Sequence, residues 1–228
     1  QKGAEETSSS IKKQGGNALA LSLDVTRYEE VSRVFAQTVE MFGRLDILVN
    51  NAGIIGRPSK IDEVSIDDWH EVIDVNLNGV FYCMKEGLRI MKNQRSGVVI
   101  NISSTFGQLG IDPSIKSDPM YVAAKHAVNG LTREAAAEYG EDNVRVNCIA
   151  PGWHHSTNLQ DTMFMKKGIA PSEEELSAMN KKINDIIPLK RQGAPEELRG
   201  LLLYLASDAS SYVTGQVYVQ DGGWTCCR

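Results

Sequence analysis

The chain has 228 residues, a length that suits one domain with a sizeable core. Its 24 Lys and Arg against 29 Asp and Glu leave a net charge of −5, which argues against a nucleic-acid glove or a polybasic membrane anchor. With 42% apolar and 23% charged residues it is too apolar for disorder, and no apolar run approaches the ~18 residues of a membrane span.

The opening segment, QKGAEETSSSIKK, is polar and reads as neither signal peptide nor anchor. Within it Ala4 to Lys13 predicts a short helix stopped at Gly15-Gly16. Ala18 to Leu23 predicts a short apolar strand that ends at Asp24-Val25-Thr26. Val31, Val34, Phe35, Val39 and Phe42 then recur at helical spacing as one buried face, closed by Gly43. Leu45 to Val49 is a second apolar strand. A long helix follows from about Ile66 to Met91, then a strand over Val98 to Ile102. Pro119 to Tyr139 predicts another helix and Val144 to Ile149 another strand. Asn158 to Asn184 is polar, bears several Met and lacks a clean period. Glu196 to Ser207 closes the helices, and Gln216 to Val219 the strands.

Strands apolar on both faces and separated by helices imply a parallel sheet covered on both sides. The simplest such architecture is α/β, a doubly wound sheet of Rossmann type. Its ligands bind beyond the carboxyl ends of the strands, here at Asp24, Asn50, Ser103 and Ala150 onward. Four cysteines, Cys83, Cys148, Cys226 and Cys227, fit neither a disulfide framework nor zinc spacing, so reduced thiols in the cytoplasm are expected.

Tyr121-Val-Ala-Ala-Lys125 sets a phenol and an ammonium one helical turn apart on one face. A cation there lowers a phenol's pKa from about 10 and suits it to exchange a proton with an alcohol. Alone this spacing recurs by chance as an exposed helix pair. Here it follows a strand that ends in Asn101-Ile-Ser-Ser104, whose hydroxyl can hydrogen-bond a substrate oxygen. Asn50-Asn51-Ala52-Gly53 follows another strand, and its small residues allow either a flat ligand to approach or a plain turn. Asn76 lies inside a helical run, where Asn is unfavourable and marks a solvated face or a packed polar group.

Together these residues resemble the short-chain dehydrogenase/reductase family, from about Gly3 to Gly223. The likeness is carried by L-D-V-T at Leu23 to Thr26, D-I-L-V-N-N-A-G at Asp46 to Gly53, N-I-S-S at Asn101 to Ser104 and Y-V-A-A-K at Tyr121 to Lys125. It continues in N-V-R-V-N-C-I-A-P-G-W at Asn143 to Trp153 and V-T-G-Q-V-Y-V-Q-D-G-G at Val213 to Gly223. The resemblance implies an NAD- or NADP-dependent oxidoreductase that interconverts a secondary alcohol and a ketone. Tyr121 would be its acid/base, Ser104, rather than Ser103, would orient the substrate oxygen, and Lys125 would tune the phenol and bind ribose. Asn76 would hold a water that links the lysine to solvent. Asp24 and Val25 would meet adenine, and Asn51, Ala52 and Gly53 would form the wall beside the cofactor ribose. Pro151 and Gly152 would pass the nicotinamide carboxamide, with backbone from His154 and the hydroxyl of Ser156, or of Thr157 in its place. The helices around Asn76 and after Tyr121 would pair subunits in a homotetramer.

Two departures stand out. Tyr121 follows Ser104 by 17 residues, a longer gap than compact members usually have, so Gly107 to Pro119 reads as a pocket loop. The family's glycine-rich pyrophosphate turn, G-x-x-x-G-x-G, occurs nowhere in the chain. The expectation is therefore an N-terminally truncated member lacking its first βαβ unit, and the competing one is a non-catalytic member that keeps the fold without binding the dinucleotide. Adjacent His154 and His155 lack the partners of a metal site, and none is expected. His70-Glu71 has Asp74 where a zincin needs His. Cys226-Cys227 read as a frayed tail rather than a redox pair, and Met163 to Met179 as a lid over substrate or as ordinary packing. The 2′-phosphate discriminator and the substrate are not legible.

Overall fold

Short β-branched runs become strands here because each finds a parallel neighbour, and the two central strands also find helices on both faces. The computed structural model of the chain describes residues 2–111, 118–155 and 172–227. Strands β1 (Ile47–Asn50), β2 (Gly97–Ile102), β3 (Val144–Pro151) and β4 (Val217–Gln220) form one parallel sheet in that order. Register pairs Asn50 with Asn101 and Asn101 with Cys148, which aligns the carboxyl ends of the first three strands. The helices are α1 (Lys2–Lys13), α2 (Tyr28–Phe42), α3 (Ile66–Ile73), α4 (Gly79–Gln94), α5 (Pro119–Tyr139), α6 (Glu173–Ile186) and α7 (Leu198–Ala206).

Alternation along the strands divides the core. Val99, Val144 and Val146 face Met84, Leu88 and Met91 of α4 and Val128 of α5. Ile100 and Ile149 face the other way, onto Leu205 and its neighbours in α7. A parallel sheet with both faces covered is thus what the apolar runs predict.

Three expectations are corrected. Ala18 to Leu23 is extended but is not a strand. Strand status needs a ladder partner, and a groove of about 340 Å³ lies between Leu23 and Val25 on one side and Leu48 and Val49 on the other. Leu23 instead packs beside Val31 and Phe35 of α2, and the Ser22 carbonyl accepts from Arg33. Second, the run from Ile66 to Met91 is not one helix: a π-helical turn at Asp74–Asn78 separates α3 from α4. Such turns cluster at functional sites because they re-aim side chains. Third, Val31 and Phe35 of α2 are buried but Phe42, the last residue before the Gly43 cap, is exposed.

Among the described residues β1 pairs with β2 alone, and Ile47 and Val49 are 44% and 39% exposed. An apolar edge of this kind invites self-association. Val49→Lys should therefore leave urea stability within about 0.5 kcal/mol while reducing light scattering on concentration. Ile100→Ala, in the core, should cost about 2–5 kcal/mol in the same urea titration.

Candidate active site

Helix α5 begins where Asp118 precedes Pro119. The Asp118 carboxylate caps the helix by accepting from the Tyr121 N–H at 3.1 Å, and proline suits the first helical position. Its other oxygen accepts from the Gly56 N–H at 2.8 Å, so one buried carboxylate ties the loop after β1 to the first turn of α5. Asp118 was not singled out by the motifs, although an Asp-Pro helix start is itself a sequence signal.

The first two turns of α5 carry Tyr121 and Lys125, both buried. The Lys125 ammonium donates to the Ile102 carbonyl at 2.9 Å and sits 5.5 Å from the centre of the Tyr121 ring. Ser103 and Ser104 part company at the end of β2. The Ser103 hydroxyl donates to the Lys125 carbonyl at 3.0 Å, which fixes α5 against the strand. Ser104 accepts from the Phe106 N–H at 3.2 Å, and its hydroxyl is near enough to the Tyr121 phenol to favour the ionised form. Serine and tyrosine thus come together despite their long spacing in the chain.

Asn76, wholly buried in the π-helical turn, grips Ile54 with both ends of its amide: the Ile54 N–H donates to it at 2.8 Å and it donates to the Ile54 carbonyl at 2.7 Å. The side chain is spent on the loop after β1. A Cβ on Gly53 would lie 3.3 Å from Asn76 Oδ1 and 3.6 Å from Lys125 Nζ, so Gly53 is wedged between the two. Farther along the same row, a Cβ on Gly79 would collide with Val25. Asp24, Val25, Asn51, Ala52, Gly53, Asn76 and Lys125 therefore lie side by side along the carboxyl ends of the strands. Asp24 is exposed and its carboxylate is held low by hydrogen bonds from Thr26.

On the other flank Gly152 approaches Asp221 so closely that a Cβ would sit 2.6 Å from the Asp221 Cβ. Trp153, His154 and His155 are laced to Gly193, whose N–H donates to the Trp153 carbonyl at 2.9 Å and whose carbonyl accepts from the His155 N–H at 3.1 Å. Ser156 and Thr157 lie outside the described residues, as does the stretch through 171. Of the Met-bearing segment, α6 is described, and Met179 packs beside Ile183 and Trp224. Phe106, Trp153 and Trp224 meet edge to face with ring centres 5.4–6.1 Å apart, and Phe106 also touches the cluster around Tyr121. This aromatic wall escaped the motifs because its members come from three distant segments. Among the described residues no group of three or more His, Cys, Asp or Glu is placed to hold a metal ion.

Electrostatically, burial governs the pair. It pushes the Tyr121 phenol up to about 12, helped by Asp118 and opposed by Ser104. It pulls the Lys125 ammonium down to about 8. The depression of the phenol expected from a neighbouring cation is outweighed here, because both charged forms lose solvent.

The lysine makes the fold's stability depend on pH. Its pKa falls from 10.5 unfolded to about 8 folded. Below pH 8 the cost of the buried ammonium is fully present; between the two values the unfolded chain binds a proton that the native state lacks, so stability rises with pH. Lys125→Met should raise stability at pH 7 by about 2 kcal/mol, the relieved charge less the lost Ile102 hydrogen bond, and should abolish the rise toward about pH 10. Denaturant unfolding at both pH values checks it.

The family model described as Enoyl-(Acyl carrier protein) reductase matches residues 1–225. A 3beta-hydroxysteroid dehydrogenase of Mediterraneibacter gnavus is 34% identical over 224 residues, which cover 94% of this chain and 79% of that protein. The crystal structure of levodione reductase superposes with a TM-score of 0.90 at 33% identity, covering 99% of this chain and 85% of that one. A gluconate 5-dehydrogenase from Burkholderia cenocepacia, solved in complex with NADP and tartrate, gives a TM-score of 0.84 at 30% identity over 97% of this chain and 80% of that one. This chain, with its parallel sheet and its serine, tyrosine and lysine gathered at the strand ends, belongs to the short-chain dehydrogenase/reductase family.

Proposed function

We propose that residues 1–228 form one Rossmann-type domain that interconverts a secondary alcohol and a ketone with NAD or NADP, Tyr121 exchanging the proton. The observation that carries this reading is the convergence of the Ser104 hydroxyl and Lys125 ammonium on a buried Tyr121 phenol. The residues present fit the ribose and nicotinamide end of a dinucleotide. A buried ammonium lies beside Gly53, which has no side chain to stand between a ribose and that charge. Lys125 and Gly53 would meet ribose; Asn51 and Ala52 would wall it, and Asp24 and Val25 would meet adenine. Pro151, Gly152, His154 and Ser156 would pass the carboxamide. The dinucleotide, when bound, supplies or accepts the hydride.

The chain's own residues handle the oxygen. At neutral pH Tyr121 is a neutral phenol, so it can donate its proton to a ketone oxygen as charge develops there. The Phe106 N–H uses only the acceptor side of Ser104, so its hydrogen, directed at the Tyr121 oxygen in the free site, can turn to a bound substrate oxygen. It would donate to the same oxygen and fix its position. Lys125, anchored at Ile102, would stabilise the phenolate left behind and bridge it to the ribose. Asn76 would hold the Ile54 turn, and since its amide is spent there, a water serving Lys125 would rest on backbone of the π-helical turn. The aromatic wall of Phe106 and Trp153 favours an apolar ring beside the reacting carbon.

Calorimetric titration with NAD and NADP tests the cofactor: micromolar binding of either supports the reading, and none at millimolar concentration counts against it. In a binding-competent chain Tyr121→Phe should cut turnover by about 10²–10⁴-fold and leave cofactor affinity within a few-fold. Lys125→Ala should damage both. Substantial turnover by the phenylalanine variant would overturn the role of Tyr121.

The working form we propose is a homotetramer in the cytoplasm. Phe81 on α4 is 47% exposed and Leu203 on α7 is 67% exposed, apolar surface suited to subunit contacts. No helix among the described residues is long and apolar enough to cross a membrane. Light scattering at micromolar concentration should give a tetramer, and a clean monomer would contradict this assembly.

A further inference from the structure

The turn after β4 is built, not frayed. Asp221 accepts from the Gly223 N–H at 2.9 Å, from the Thr225 N–H at 2.7 Å and from the Thr225 hydroxyl at 2.6 Å. A short 3-10 helix, Trp224–Cys227, follows, with Trp224 buried against Phe106 and Trp153. This anchored turn presents two exposed neighbouring thiols, Cys226 and Cys227, whose sulfurs lie 3.6 Å apart. The correction to the frayed-tail expectation follows from Asp221 and Trp224, which fix the turn from both sides.

The spacing selects a chemistry. A disulfide would require the sulfurs to close to ~2.05 Å, and adjacent Cα atoms ~3.8 Å apart fall short of the usual disulfide range, so that bond is strained. Two thiolates on a single soft atom, with bonds of ~2.3 Å as in a zinc–thiolate pair, would subtend about 103° at the observed separation. Zinc needs further ligands, and no group of three or more His, Cys, Asp or Glu occurs among the described residues. A trivalent arsenic carrying one organic group needs only two sulfurs.

We propose that Cys226 and Cys227 form a vicinal dithiol site that captures a monosubstituted trivalent arsenical. With an organoarsine oxide as reactant, two S–H bonds break and two As–S bonds form. The oxide oxygen takes both protons and leaves as water; arsenic stays trivalent and no electron changes hands. The neighbouring sulfur holds the Cys226 thiol pKa above its ordinary value, which disfavours simple alkylation relative to two-point capture. Cys83 and Cys148 are buried and serve as internal controls.

The test is intact-mass spectrometry and peptide mapping of the full chain after treatment with phenylarsine oxide in excess glutathione. One phenylarsenic group per chain should map to the peptide holding Cys226 and Cys227, resist the monothiol and leave on addition of a small dithiol. Cys226→Ser and Cys227→Ser should each weaken retention by about 10²-fold or more, the loss of a second, intramolecular bond. Circular dichroism of both variants checks that the fold is kept. Retention unchanged in either variant, an adduct stripped from the parent chain by glutathione, or label on Cys83 or Cys148 would overturn the site.

Discussion

A buried ammonium must be held, and the site's layout follows from how Lys125 is held. Removing that charge from water costs several kcal/mol, which only close partners in fixed positions offset. The Ile102 carbonyl at the end of β2 supplies one partner, and the Ser103 hydroxyl bonds the lysine's own carbonyl so that helix and strand cannot slide. Gly53 lies beside the ammonium, where a Cβ would press to 3.3 Å on the Asn76 amide oxygen. Strand end, helix start and the loop after β1 are thereby brought to one point, and Tyr121 takes its place one turn before.

Polar residues inside the core extend that fixation across the sheet. Asn50 on β1 donates to Asn101 on β2 at 2.8 Å, and Asn101 donates to Thr132 on α5 at 2.9 Å. Asn129 on α5 donates to the Gly107 carbonyl at 2.8 Å and accepts from the Cys148 thiol of β3. Buried polar groups tolerate little misalignment, since each lost partner costs about 1–3 kcal/mol. These bonds therefore fix the register of three strands against α5 more sharply than apolar packing does. The catalytic candidates stand at the end of this rigid frame rather than on free loops, as proton exchange at fixed distance requires.

The opposite side of β1 is built differently. Val25 reaches across to Gly79 at one end, yet along Leu48 and Val49 the groove stays open toward Leu23. The adenine-side candidates, Asp24 and Val25, are thus supported by α2 and α4 instead of by the sheet. Stability and site geometry are concentrated on the β2, β3 and α5 side, where the proton chemistry lies.

Sequence alone determined the parallel α/β class, since apolar runs separated by amphipathic helices have few other ways to cover both faces. It also placed β2, β3, β4 and α5 to within a residue or two and, through the family resemblance that its motifs carry, pointed to Ser104, Tyr121 and Lys125, because those motifs are written in short stretches of chain. Tertiary structure alone decided the rest. Ala18 to Leu23 has strand composition but no ladder, because pairing depends on a neighbour and not on propensity. The π-helical turn from which Asn76 bonds Ile54 is invisible in a run of helix-forming residues, since that partner lies 22 residues earlier in the chain. The raised phenol and lowered ammonium reverse the direction that the Tyr-Lys spacing suggests, because desolvation is a property of everything packed around a group. Phe106, Trp153 and Trp224 become one wall only when three segments far apart in sequence fold against each other.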